Sequence, residues 1–210
     1  MKENMQKTAN TKTQDPKAAQ VRIEIPRIQV EYFQIRLVGD SPLIVHKWSE
    51  KAKKEMLDKQ MKVAKTAKEA KDPERDFQDS LYHHPDGGYG FPSVAFKNAA
   101  VSACRFTDGT RMTTARGAFH VQGEFVKIEG GDPIPREDMV RIGMGVADIR
   151  YRGEFTDWST VVRLSYNKHA LSKEQIVNLF NLAGFGVGVG EWRPEKNGQF
   201  GRFHVATEGN

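Results

Sequence analysis

Two periodicities run through this chain. Apolar and polar residues alternate at Val21, Ile23 and Ile25, which predicts a strand. Tyr32-Phe33-Gln34-Ile35-Arg36-Leu37-Val38 reads as a second strand whose other face is partly covered. Gly39-Asp40-Ser41-Pro42 ends it, and Leu43-Ile44-Val45 resumes an apolar run into His46, Lys47 and Trp48. The alternation is clearest from Thr160 to Tyr166, where Val161, Arg163 and Ser165 oppose Val162, Leu164 and Tyr166. Phe119 to Ile128 reads as a strand, Val140 to Tyr151 as one or two more, and Phe203 and Val205 as a short last one. Helical spacing appears in three places. Ser49 to Lys71 is lysine-dense, with Ser49 as N-cap. Ser93 caps a second helix over Val94 to Arg105, which carries small apolar residues for close packing, with Lys97 and Arg105 on its polar side. The third opens at Leu171-Ser172-Lys173-Glu174 and runs to Ala183, burying Ile176, Val177, Leu179, Phe180 and Leu182.

In order, these elements are β, helical insertion, α, β, β, β, α, a glycine-rich segment and β. The skeleton βαββαβ predicts an α+β fold of the ferredoxin-like type, the group that includes RRM-like sheets. Residues 1–20, rich in Lys, Thr, Asn and Gln, are too polar to bury a core and predict a disordered basic arm. The expected organisation is therefore that arm followed by one domain over residues 21–210, with the helical insertion at about 49–80. In the insertion Ala52, Met56, Val63, Ala67 and Ala70 form only a thin apolar stripe, while Lys51, Lys53, Lys54, Lys59, Lys62, Lys65, Lys68 and Lys71 take most other positions. Glu50, Glu55, Asp58 and Glu69 partly neutralise them, so this is either a solvated face or a protruding helix that rests on an intermittent partner.

Composition narrows the chemistry. Net charge is +5 with pI 9.2, a balance that favours polyanionic partners. The single cysteine, Cys104, excludes an intramolecular disulfide framework and lies among small apolar residues as a buried thiol. No apolar run approaches membrane-spanning length and no signal-like segment opens the chain, so a cytoplasmic location is expected.

The segment after the third helix is the most unusual. Glycines stand at 184, 186, 188 and 190, then at 198 and 201, with Arg193, Lys196 and Arg202 interleaved among Trp192, Phe200 and Phe203. Glycine lets backbone approach a ligand, cations meet phosphate, and aromatics meet bases. The alternative is a glycine C-cap followed by a loose hairpin of core aromatics. A helix starting at Ser93 would present free N–H groups to a phosphate, with Lys97 one turn in and the amides of Gly186, Gly188 and Gly190 on the same strand. Arg150, Arg152 and Arg163 lie on or beside strands, where guanidinium groups can stack or hold phosphate, and Lys51 and Lys54 add charge from the insertion. Trp192 could stack on a base or a neighbouring subunit, or fill its own core. His46, next to Lys47, is a candidate general base for RNA cleavage or a structural residue beside Trp48. His83, His84 and Asp86 could ligate a metal in principle, but their Pro-Asp-Gly-Gly context explains itself as a turn, and no metal or cofactor is expected.

Three stretches together resemble the RAMP superfamily, the ferredoxin-like subunits that bind or process guide RNA in CRISPR effector complexes. Val38-Gly-Asp-Ser-Pro-Leu-Ile-Val45 is similar to its strand and small-Pro-Leu opening. Tyr89-Gly-Phe-Pro-Ser-Val-Ala-Phe-Lys-Asn-Ala-Ala100 is similar to its Pro-x-Ser-x-x-Lys helix start, with Asn98 where glycine is usual. Gly184 to Gly190, with Gly201-Arg202-Phe203, resembles its glycine-rich loop. The resemblance implies a reduced backbone-type subunit, or a phage or mobile-element relative, whose lysine-rich segment stands for the inserted thumb-like region. It further implies a non-catalytic protein that binds RNA or single-stranded DNA and oligomerises along it, with other effector subunits as further partners. Asp40 precedes Ser41-Pro42, whereas the cleaving acid of some backbone relatives lies further downstream, so strand slicing is not expected. The rivals are a metal-independent endoribonuclease using His46, and a phage structural, assembly or DNA-recombination protein.

Overall fold

The computed structural model describes residues 27–63, 70–143 and 145–207. The expected arm, the alternation at Val21, Ile23 and Ile25, and Lys65 and Lys68 lie outside the described residues. Strands β1 (Val30–Gly39) and β2 (Leu43–Val45) precede helices α1 (Glu50–Gln60) and α2 (Pro73–Asp79). Strand β3 (Gly90–Pro92) leads into α3 (Ser93–Ala103), then α4 (Met112–Ala118) and the short strands β4 (Phe119–Val121), β5 (Phe125–Lys127) and β6 (Glu129–Gly130). A long hairpin follows, β7 (Ile134–Ile142) and β8 (Val146–Phe155), then β9 (Trp158–Asn167), α5 (Lys173–Gly186) and β10 (Phe203–Val205).

The architecture is mixed α+β with antiparallel sheets. The main sheet has the order β10-β1-β9-β4, with β6 added on β9, and every neighbouring pair is antiparallel. Helix α3 connects β1 to β4 across β9, and α5 connects β9 to β10 across β1. Both helices pack on the face that carries Ile35, Leu37, Val162, Leu164 and Phe119, with Phe96 of α3 and Ile176 and Phe180 of α5 fully buried there. The period-two pattern chose that face. Burying it against two helices removes several large apolar side chains from water, each worth about 1.5–3 kcal/mol. The second sheet, β2-β8-β7, adds Leu43, Val45 and Phe155 to the same hydrophobic cluster.

Two local signals work as read. Ser49 Oγ accepts from the Ala52 N–H, and Ser172 and Gln175 form a reciprocal capping box at the start of α5. Four details differ. Ser93 does not cap α3, because it is already the first helical residue and its hydroxyl donates to the Gly123 carbonyl. Asp72-Pro73 starts a separate helix, α2, beyond the helical spacing read over Ser49 to Lys71: the Asp72 side chain accepts from the Arg75 N–H and Pro73 takes the first helical position. The expected strand 119–128 is two short strands that pair with different partners, β4 with β9 and β5 with β3. The second face of β1 is open: Tyr32 is 70% exposed, and Gln34 and Arg36 lie on the same side. No helix among the described residues is long and apolar enough to cross a membrane.

Candidate nucleic-acid interface

Leaving α5, the chain runs along β2, turns through Pro194–Lys196 and returns beside itself into β10. The Val187 and Gly188 N–H groups both donate to the Ala183 carbonyl. Val189 N–H donates to Gly201 O, Glu191 N–H to Ile44 O, Gly201 N–H to Pro42 O, and Phe200 N–H to Trp192 O. The Arg202 N–H donates to Ser41 Oγ at 3.0 Å. These bonds make a braced segment of what composition predicted to be a loose hairpin. Its glycines serve close packing. Gly184 lies inside α5 where the Phe203 backbone crosses, and Gly186 meets the Phe106 ring in the last turn of the helix. Gly188 is buried with its amide engaged, and the half-buried Gly190 accepts from Arg193 Nη1 through its carbonyl. The Gly188 amide is therefore not free to join a phosphate cradle with those of Gly186 and Gly190.

The braced segment separates two clefts. The first, of 320 Å³, lies between Val94, Ala95 and Asn98 of α3 and the run Gly188 to Glu191, with His46 and Tyr82 at one end. The second, of 570 Å³, is lined by Trp192, Phe200, Arg136, Asp138, Arg202 and Ser41. Between them sits a charge network that ties the root of the β7–β8 hairpin to the segment. Arg152 Nη1 donates to Asp138 Oδ2 at 2.8 Å, and its Nη2 lies 3.6 Å from Glu191. Arg136 donates to Asp138 Oδ1 at 3.0 Å and to Glu154 at 2.8 Å, while Trp192 Nε1 donates to Asp138 Oδ2 at 3.3 Å. Burial works to raise the Asp138 carboxyl pKa, but hydrogen bonds from Arg152, Arg136 and Trp192 together hold it below the usual carboxylate range. Both arginines also lie over aromatic rings: Arg136 is 4.8 Å from the Phe200 centroid and Arg152 is 5.7 Å from that of Trp192.

The sequence-predicted residues divide sharply. Trp192 and Arg202 meet in the second cleft, with Arg152 behind them. Trp192 is 39% exposed, and Arg202 Nε is buried with no hydrogen-bond partner among the described residues. Arg152 is itself 5% exposed and neutralised by Asp138 and Glu191, so it braces the cleft and cannot reach a phosphate. Arg193 is used internally, donating to Glu195 and to the Gly190 carbonyl, while Lys196 stands exposed at the turn. Arg150 pairs with Asp148 at 2.7 Å on the hairpin. Ser93 is buried, and its N–H donates to the Glu124 carbonyl, which leaves neither group for an anion. Lys97 does not line either cleft and lies at the β4 edge, 3.0 Å from His120 Nδ1. Arg163 is exposed on the open face of β9, and Lys51 and Lys54 are exposed on α1, which buries no residue of its own. His84 accepts from the Asp86 N–H within its turn, and His83 lies against the Tyr89 ring.

Sequence reading missed Arg136, Asp138 and Glu154. The available signal was their period-two spacing, with Arg136 and Asp138 on one face of β7 and Arg152 and Glu154 on the same face of β8, Arg152 opposite Arg136 and Glu154 opposite Ile134.

His46 is half-buried at the first cleft. Desolvation first, then the positive charge of Arg152, pushes its pKa below the ordinary 6.5, only partly opposed by Glu191. The folded protein thus holds this imidazole neutral where the unfolded chain would protonate it. The resulting stabilisation is complete above about pH 6.5 and declines as pH falls through that value toward the lowered folded one. Urea midpoints at pH 7.5 and pH 5.5 are expected to drop more in the native chain than in His46→Gln; equal drops would contradict this.

No family model matches the chain, and no curated protein matches it. Among solved structures it is similar to Cmr6 from Pyrococcus furiosus, with a TM-score of 0.45 and 12% identity, covering 86% of this chain and 100% of that one. A likeness this distant assigns neither family nor role.

Proposed function

We propose that the protein binds single-stranded nucleic acid, RNA or DNA, in the cleft between the β7–β8 hairpin root and the segment 192–202. The observation that carries this reading is the pairing of a part-exposed Trp192 with the buried, unpartnered Nε of Arg202 in one open cleft. An aromatic face takes a base and a guanidinium takes a phosphate, which is how sequence-tolerant single-strand sites are built. Asp138 and Glu154 offset Arg136 and Arg152, which leaves Arg202 as the cleft's cation without an acidic partner among the described residues and gives stacking a large share of the affinity.

The main sheet supports a ferredoxin-like reading. Its order runs last, first, third, second when only β1, β4, β9 and β10 are counted, with α3 and α5 on one face. With the three sequence stretches above, that order favours a reduced RAMP-type, single-domain, cytoplasmic protein that assembles in several copies along its ligand and joins other effector subunits.

Fluorescence anisotropy with a labelled 20-nucleotide single-stranded RNA, the matching DNA and a duplex, titrated with salt, tests the reading. Binding is expected for the single strands over the duplex. Each phosphate contact with a single strand would contribute about −0.7 to the log–log salt slope. No binding, or binding without salt dependence, contradicts it and favours a protein-docking role.

A second reading has one observation behind it. A neutral His46 at the first cleft is in the protonation state a general base requires. An endoribonuclease would release product from the RNA, and His46→Ala would abolish it; intact RNA with the native chain removes this reading.

A further inference from the structure

The face of the main sheet away from α3 and α5 is uncovered, and the strand registers give its layout. Tyr32 of β1, Ser165 of β9 and His120 of β4 form one row. Gln34 and Arg163 form the next, and Arg36 and Val161 a third. Tyr32 is 70% exposed, and its side chain makes no hydrogen bond among the described residues. Arg163 is exposed and has no acidic partner among them. Arg36 differs, since Glu129 at 3.0 Å and Ser159 Oγ at 2.8 Å engage it. Lys97 reaches the β4 end of the first row, where its ammonium lies 3.0 Å from His120 Nδ1. No carboxylate stands in these two rows, so this part of the face carries the exposed Tyr32 ring, the neutral polar side chains of Ser165 and Gln34, and the Arg163 cation, with Lys97 beside His120 at its edge.

We propose that this open face is a second contact surface for a single-stranded nucleic acid, with a base stacked on Tyr32 and phosphates held by Arg163 and by Lys97 at the edge. The charge complementarity selects the occupant. A polyanion is attracted to unpaired cations, and only an unpaired strand offers base faces to a flat sheet bearing a ring. Neighbouring strands are spaced by about 4.8 Å, so Tyr32 and His120, two strands apart, are separated by roughly 10 Å and can meet successive nucleotides of one strand. The inference rests on the ligand class proposed above, but it names a different surface, on β1, β4 and β9, that shares no residue with the cleft at Trp192 and Arg202.

Tyr32→Ala, Tyr32→Phe and Arg163→Glu are compared with Trp192→Ala by anisotropy on labelled single-stranded RNA and DNA. Circular dichroism serves as the check on folding, and sedimentation velocity as the check on self-association. Tyr32→Ala is expected to weaken binding about 5- to 100-fold while Tyr32→Phe stays within about twofold, because the ring and not the hydroxyl makes the contact. Arg163→Glu is expected to weaken binding and make the salt slope about one unit shallower. Native affinity in folded Tyr32→Ala and Arg163→Glu, with Trp192→Ala impaired, overturns this inference and leaves the cleft standing. The reverse pattern sinks the cleft and supports the sheet face. Altered sedimentation with unaltered nucleic-acid binding overturns the inference in favour of contact with a second copy of the chain. A native protein that binds no single strand overturns both.

Discussion

Asp138→Ala is expected to destabilise the fold by about 3–5 kcal/mol, the range found when one member of a buried ion pair is removed. The carboxylate accepts from Arg152, whose side chain is 6% exposed, and from Arg136 and Trp192. Without it, Arg152 keeps a desolvated positive charge opposed, among the described residues, by Glu191 at 3.6 Å, and Trp192 loses its indole partner. Removing both partners is expected to cost less than removing one. In Asp138→Ala/Arg152→Met no uncompensated charge is left behind, and an apolar chain fills the space against Trp192. Urea denaturation of the native protein and the two variants reads this directly. A double variant no more stable than the single one would mean that packing, and not charge balance, holds the hairpin to the segment.

Gly184→Ala and Gly201→Ala are expected to be harsher still. In a helix, alanine is ordinarily better than glycine by about 1 kcal/mol, so propensity alone favours the change at Gly184. A Cβ there would overlap the carbonyl oxygen of Phe203, where β10 crosses α5, and backbone cannot step aside as a flexible side chain can. At Gly201 the Cβ would strike the Val189 carbonyl oxygen, and φ is +63°, where a side chain is strained in any case. Losses above about 4 kcal/mol, or failure to recover folded protein, are expected for both. Gly117 is the control. It lies in α4 with nothing near its Cβ direction, so Gly117→Ala is expected to be neutral or slightly stabilising. Equal tolerance at all three positions would show that the segment is not braced as described.

These glycines mark where sequence reading falls short. Composition announced an ordering cost and permitted looseness, but it could not say that the N–H groups of Val189, Glu191 and Gly201 would find carbonyls of distant segments. The β1 and β9 alternation and the α3 and α5 stripes were legible, because burial of one face is a local pattern. Helix α2 went unread although Asp72-Pro73 carries its signal, an N-cap followed by a first-turn proline. Helix α4, with Thr113, Thr114 and Gly117 in seven residues, has little intrinsic signal and forms against its neighbours. Within the candidate site, Trp192 and Arg202 were readable from composition. The rest of the cation set was not, since lysines and arginines near one another in type proved far apart in space. Arg163 faces one side of the sheet, Ser93 the other, and Lys51 and Lys54 project on α1. Arg152 illustrates the cause. Its position on β8 was visible, while its neutralisation by Asp138 depends on a hairpin register that no local pattern encodes.

The account turns on whether the Trp192–Arg202 cleft grips a single strand. The most direct measurement is the dissociation constant of a labelled 20-nucleotide single-stranded RNA for the native protein, for Trp192→Ala and for Arg202→Ala, at one fixed salt concentration. The account predicts binding by the native chain and a weakening of about tenfold in each variant, with circular dichroism spectra unchanged. Native-like affinity in both folded variants would contradict it.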